Sequence, residues 1–320
     1  MSTALLALGV LAAIGLPHAL HLDRAAPGVA ATIWLAALAL RALAAVFMAI
    51  FFVLVLPATE LFTLISHWCW HAVIPFLATH LPLNGHAVGD AALIAPSFVL
   101  AVSVLSVVAG LWRAARAVSR LIARSTIGDG PGESLIVKDG DILVAAAGLR
   151  RPRVLVSAGA LVRFDDEELA ASLDHERGHI RRHHRWILVA GELCRALGRF
   201  VPGTRIASRE LAFHLERDAD RFALRRENHP AALASAICKA AEAPALAAPS
   251  LALGGASVVR RVRQLLEDDP VASGPHQRLL PLVAAAMVAL ALASAAALPA
   301  AAEAGLHQAG RSTAVHDCPH

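Results

Sequence analysis

The chain has no CxxC pair, and its four cysteines, Cys69, Cys194, Cys238 and Cys318, stand far apart. That excludes a disulfide framework or a structural zinc knuckle. Lysine and arginine are missing altogether between Ala42 and Trp112, yet dense from Arg113 to Arg278. No nucleic-acid-binding motif accompanies the basic stretch, so no direct nucleic-acid partner is expected. The asymmetry is a topology signal instead. No basic residue precedes the first apolar run, so that run reads as a membrane span and not as a cleaved leader.

What the chain does have is apolar length: 57% of its 320 residues are hydrophobic. Four stretches approach the roughly 20 apolar residues that a bilayer requires, at 3–20, 29–56, 91–112 and 279–299. A fifth, 61–81, carries His67, His71 and His80 with Trp68 and Trp70, and suits a helix lying at the headgroups. With four spans, the positive-inside rule places the Arg-rich region in the cytoplasm and both termini outside. The expected location is the inner membrane, multi-pass, with the lipid bilayer as a partner. Residues 1–112 form a membrane region of three spans, 113–277 a cytoplasmic domain, and 278–320 the last span with a short outer tail.

Two features of the spans have competing readings. Arg41 interrupts the second span. It either pairs with a polar group in the bundle or, slightly favoured, snorkels to the cytoplasmic headgroups. Past the third span, Arg113, Arg116, Arg120 and Arg124 form a stripe that suits anionic lipid heads or a solvated face equally. The outer His67, Cys69, His71, His80 and His86, with His307, His316, Cys318 and His320 of the tail, show no fixed ligand spacing.

Within 113–277, residues 125–133 are rich in Gly and Pro and read as a linker. Residues 134–137, 142–146 and 153–157 read as short strands, followed by helical periodicity. The cytoplasmic unit is therefore α+β. A helix starts at Asp165, with Glu168 completing a capping box.

On that helix lies His175-Glu176-Arg177-Gly178-His179, an HExxH motif. Residues four apart share a helical face, so both imidazoles can reach one zinc ion while Glu176 acts as general base on the attacking water. A catalytic zinc normally takes three protein ligands. Glu216, on a helix over about 205–225, is the candidate third, and Asp220 one turn on can orient a ligating histidine. His183 would ligate only if the first helix ran on unbroken. His214 is a candidate transition-state stabiliser.

At these residues the chain resembles the BlaR/MecR-type membrane metallopeptidases. The resemblance rests on Gly148–Ser157 ahead of the zinc helix, Asp165–Leu169, His175–Arg182, Glu216–Asp220, and Val259–Leu266 ahead of the last span. It implies an α-helical membrane protein of about four transmembrane helices with an inserted cytoplasmic α+β zincin-like domain. The implied ligands of one catalytic zinc are His175, His179 and Glu216, with Glu176 as acid/base. The implied substrate is a cytoplasmic protein such as a transcriptional repressor, with self-cleavage. Two departures stand out. Only 300–320 follow the last span, without an SxxK motif, so beta-lactam sensing by an outer penicillin-binding domain is not expected. His184 stands where many relatives have Asp. A quality-control peptidase of the HtpX/Ste24 type and a non-catalytic zinc-containing receptor are the competing functions.

Overall fold

A computed structural model describes residues 3–56, 85–148, 152–242, 255–267 and 275–312. Helix α1 (Thr3–Ala19) leads through a 3-10 turn (Leu22–Arg24) to α2 (Pro27–Ile50), which runs on into a π-helical turn, Phe51–Val55. Helix α3 (Gly85–Ser125) continues without a break from the apolar run into the basic stripe. Strands β1 (Thr126–Asp129), β2 (Leu135–Val137), β3 (Val144–Ala147) and β4 (Arg153–Ser157) follow. Then come α4 (Ala158–Arg163), α5 (Asp166–Arg181), α6 (His184–Leu197), α7 (Thr204–Leu224), α8 (Pro230–Glu242), α9 (Gly255–Leu266) and α10 (Pro275–Ser312).

Three described helices are long and apolar enough to cross a membrane: Pro27–Val55, Ser97–Ala117 and Arg278–His307. Helix α1 has 17 residues, short of the roughly 20 that a bilayer needs. The stretch 61–81 lies outside the described residues, as do His316, Cys318 and His320 of the tail.

The sheet has the order β1-β2-β4-β3. Residues 125–133, expected to be only a linker, contribute β1, which pairs antiparallel with β2. Strand β2 runs parallel to β4, and β3 runs antiparallel to it. So β2 and β3 do not form a hairpin, although only the turn at 138–143 separates them. β4 lies between them, and β3 is left at the edge facing α5.

Helix α5 starts where its sequence says it should. Asp165 accepts the Glu168 N–H at 2.8 Å, and the Glu168 carboxylate accepts the Asp165 N–H at 3.0 Å. The same carboxylate receives Lys239 Nζ of α8 at 2.6 Å, so the cap also fastens a neighbouring helix. Against α5 lies α7, at a distance set by Gly178. A Cβ on Gly178 would come within 3.1 Å of Phe222 Cβ and 3.2 Å of Ala219 Cα. Any side chain there would push the two helices apart.

One apolar cluster joins Ile33, Leu38 and Leu40 of α2 to Ala207, Leu211 and Leu215 of α7, with Ala284 and Met287 of α10. The first long span is therefore part of the core behind the catalytic helices. At the heart of this contact Arg41 is 1% exposed. Its guanidinium donates to the carbonyls of Ala37 (3.0 Å), Ile14 (3.0 Å) and Pro202 (3.3 Å), and to His18 Nε2 (3.0 Å). This overturns the snorkelling reading, because the protein supplies the acceptors that headgroups would otherwise provide. Gly203, at φ +80°, fits beside this cluster, where a Cβ would lie 3.1 Å from Arg41 Nη2.

Arg41→Leu is expected to leave the buried Pro202 carbonyl and His18 Nε2 without their partner and to destabilise the fold by about 1–3 kcal/mol. Arg41→Lys, which reaches fewer acceptors, should lose less. Thermal unfolding in detergent checks both, and wild-type stability in Arg41→Leu would contradict the clamp.

Candidate metal centre

Helix α5 presents His175 and His179 one turn apart, and α7 brings Glu216 to them. His175 Nε2 and His179 Nε2 lie 3.2 Å apart. Glu216 Oε2 is 3.4 Å from the first, and Glu216 Oε1 is 3.5 Å from the second. A tetrahedral zinc with ligand bonds of 2.0–2.1 Å has edges of about 3.3–3.4 Å. The two nitrogens have the spacing of one edge of such a site, each has a Glu216 oxygen near that distance, and the three side chains could hold a metal ion.

The outer nitrogens support the same reading. His175 Nδ1 lies 2.9 Å from Asp220 Oδ1. His179 Nδ1 lies 3.0 Å from His184 Nδ1, and His184 Nε2 lies 3.1 Å from Asp218 Oδ2. Asp218 is an acceptor, so His184 carries its proton on Nε2 and accepts on Nδ1 from His179. His179 is thereby left with its Nε2 lone pair directed at the shared point, the arrangement that fixes a metal-binding histidine, while His175 must shed a proton to offer its own.

Asp220 comes within 2.9 Å of His175 Nδ1, an ion-pair distance without hydrogen-bond alignment. His184 and Asp218 were not foreseen as supports. No local spacing marks them, since the pair lies 34 residues apart in the chain. Arg261 of α9 was also missed. It donates to Asp220 at 2.7 and 2.9 Å and lies 2.8 Å from Glu216 Oε2. It neutralises the carboxylate cluster that the histidines alone would not balance.

Two other histidines are excluded from the centre. The helix breaks after Arg181, and His183, at φ 56°, caps the next helix, so the unbroken helix that His183 needs as a ligand does not exist. His214 is fully buried, and Arg217 Nη1 lies 3.1 Å from its Nδ1. It is two residues from Glu216, hence near the opposite face of α7, which leaves no route to transition-state stabilisation. His214 also falls in a second donor group with Asp23 and Glu210. That group does not suit a metal. Arg260 already pairs with both carboxylates. An arginine only donates, so His214 Nδ1 must accept and its Nε2 holds the proton.

Electrostatics separate the two ligand rings. Burial works to lower the His175 pKa, but Asp220 and Glu216 overcome it and raise it to about 10. Burial, with His175 and His184 nearby, lowers His179 to about 3. Burial opposes ionisation of Glu216, yet Arg261 and His179 hold it well below the usual carboxylate range. Glu176 is raised above it by burial, partly offset by His175 and by an N–H bond from Ala146. That bond, 2.6 Å to Oε2, comes from the edge strand and leaves Oε1 free for proton transfer.

Residues 112–214 match the family model of peptidase family M48. The match supports a zinc metallopeptidase of membrane type. It includes the HExxH helix and ends two residues before Glu216. No curated protein and no solved structure matches the chain.

Two outcomes follow. Metal binding must displace the His175 proton, whereas His179 has none to lose at neutral pH. Calorimetry in buffers of different ionisation enthalpy should show about one proton released per zinc near pH 7. Affinity should rise with pH up to about 10, where His175 deprotonates unaided; pH-independent affinity would contradict this. Separately, His184→Ala and Asp218→Ala should each weaken zinc binding about 10–100-fold, measured by chelator competition, while His183→Ala should leave it unchanged.

Proposed function

We propose that the chain is a membrane-bound zinc endopeptidase that cuts protein substrates close to the bilayer. One observation carries this reading above the others: two Nε2 atoms stand at the spacing of a tetrahedral edge with a carboxylate near both, and Glu176 is beside them. His175, His179 and Glu216 would hold the ion. When bound, zinc supplies a Lewis acid for the scissile carbonyl and lowers the pKa of water to about 7.

The protein's own groups do the rest. Glu176 takes the proton of the attacking water on Oε1 and passes it to the leaving amine. Its burial favours the proton-holding form and so suits it to this exchange. The Ala146 N–H fixes the other oxygen, which keeps the carboxylate from swinging away. Strand β3 offers the substrate a backbone partner. Leu143 O accepts the Ser157 N–H on the β4 side, so by strand alternation Val144 and Ala146 face away from β4, towards α5. An extended peptide laid along this edge would pass the ligand set. Arg185 lies close enough to Glu176 to act on its charge.

The finer reading is regulatory: cleavage of a cytoplasmic protein such as a repressor, and of the chain itself. A second, quality-control reading stands beside it, because the family match supports a peptidase without separating the two. The catalytic domain belongs on the cytoplasmic side in both.

Glu176→Gln should retain zinc while cleavage falls about 10²–10⁴-fold, because only the proton carrier is lost. Zinc content and the membrane-associated proteome of wild type and variant check this together. A wild-type cleavage rate in the variant would rule out the mechanism and leave the non-catalytic receptor. One processed protein would support regulation, and many would support quality control.

A further inference from the structure

We propose that the hairpin of α6 and α7 is seated in the lipid leaflet on the catalytic domain's side. Its tip, 198–203, would reach the acyl chains of the surrounding phospholipids. This rests on reading α2, α3 and α10 as membrane spans.

The depth of the tip is tied to two spans independently. Arg41 lies well inside the Pro27–Val55 span and donates to the Pro202 carbonyl. Side chains on a helix lean towards its N-terminus. The guanidinium accordingly meets the Ala37 carbonyl, about 15 Å along α2 from Pro27. On the other side, Arg199 Nη1 lies 3.4 Å from Ser103 Oγ. Ser103 sits within the Ser97–Ala117 span, about 15 Å from Arg113, the first basic residue after the apolar run. The hydrocarbon core is about 30 Å thick. Both contacts therefore hold the tip well beyond the headgroups' level, as far as a long arginine side chain reaches back from it.

The backbone of the tip is built for such a place. Irregular backbone survives in a bilayer only if its polar groups are satisfied by protein. The Gly198 N–H bonds to Cys194 O at 2.8 Å, Val201 N–H to Gly198 O at 2.9 Å, and Thr204 N–H to Val201 O at 3.3 Å. The Thr204 hydroxyl lies 2.7 Å from the carbonyls of both Gly198 and Val201. Pro202 has no N–H to satisfy, and Arg41 takes its carbonyl.

The outward side chains match the leaflet. Phe200 is 74% exposed and Ile206 52%, an apolar pair with no protein cover. Arg199, beside them, meets Ser103 at the same depth, so the contact with lipid is carried by the apolar pair. One consequence concerns the chemistry. Glu216 lies about 18 Å along α7 from Thr204, which places the metal centre near the membrane surface and selects scissile bonds in membrane-proximal segments.

The test uses the full chain in membranes containing phosphatidylglycerol and phosphatidylethanolamine. The photoreactive p-benzoylphenylalanine is placed singly at Phe200, Ile206, Leu105 and Val162. Leu105 is an exposed position on the α3 span, and Val162 is exposed on α4, away from the spans. After irradiation, mass spectrometry should find phospholipid adducts at 200 and 206 as at 105, with none at 162. Adducts at 105 but not at 200 and 206 would overturn the proposal, and none at 105 would overturn the span reading beneath it.

Discussion

Two imidazoles on one helix can share a metal only if both rings are held with the same nitrogen facing inward. That requirement organises much of this structure. Helix α5 supplies the rings but cannot orient them, because each outer N–H needs an acceptor from elsewhere in the fold. Asp220 lies within reach of one. Asp218 provides an acceptor for the other through His184, which extends its reach by the width of a ring. Both aspartates sit on α7, so that helix must lie close against α5, and Gly178 permits the approach. The carboxylates gathered in this way would repel one another without Arg261, which draws α9 into the site.

A second consequence concerns the membrane. The back of α7 is apolar, and the surface that covers it is α2, the first long span. Span and catalytic helix thus share one core, with Arg41 at the centre of the contact. An ionised side chain is costly at that depth, but here it finds acceptors on α1 and on the Pro202 carbonyl of the α6–α7 turn. A displacement of α2 would therefore be felt by the helix that carries Glu216.

The local features were legible in the sequence because local forces decide them. The capping box at Asp165 and Glu168 specified the start of α5 to the residue. The spacing of His175 and His179 followed from helical geometry, and Glu216 and Asp220 followed from the same periodicity on the next helix. The sheet was less legible. Residues 126–129 look like linker, since their glycines mask a strand that exists only because β2 offers it an edge. The separation of β2 and β3 by β4 is likewise a long-range pairing with no local signature.

What the sequence determined by itself is the donor set, the helices that carry it, and the apolar runs long enough to span a bilayer. These depend on periodicity and composition, which are properties of neighbouring residues. Only the tertiary structure decided how the rings are held, why His184 can stand in place of a carboxylate, and that Arg41 is clamped and does not snorkel. Those outcomes depend on pairings between residues far apart in the chain, such as His184 with Asp218, Arg261 with Glu216, and Arg41 with Pro202. No local pattern encodes such pairings, because the energy that selects them appears only once the helices are packed.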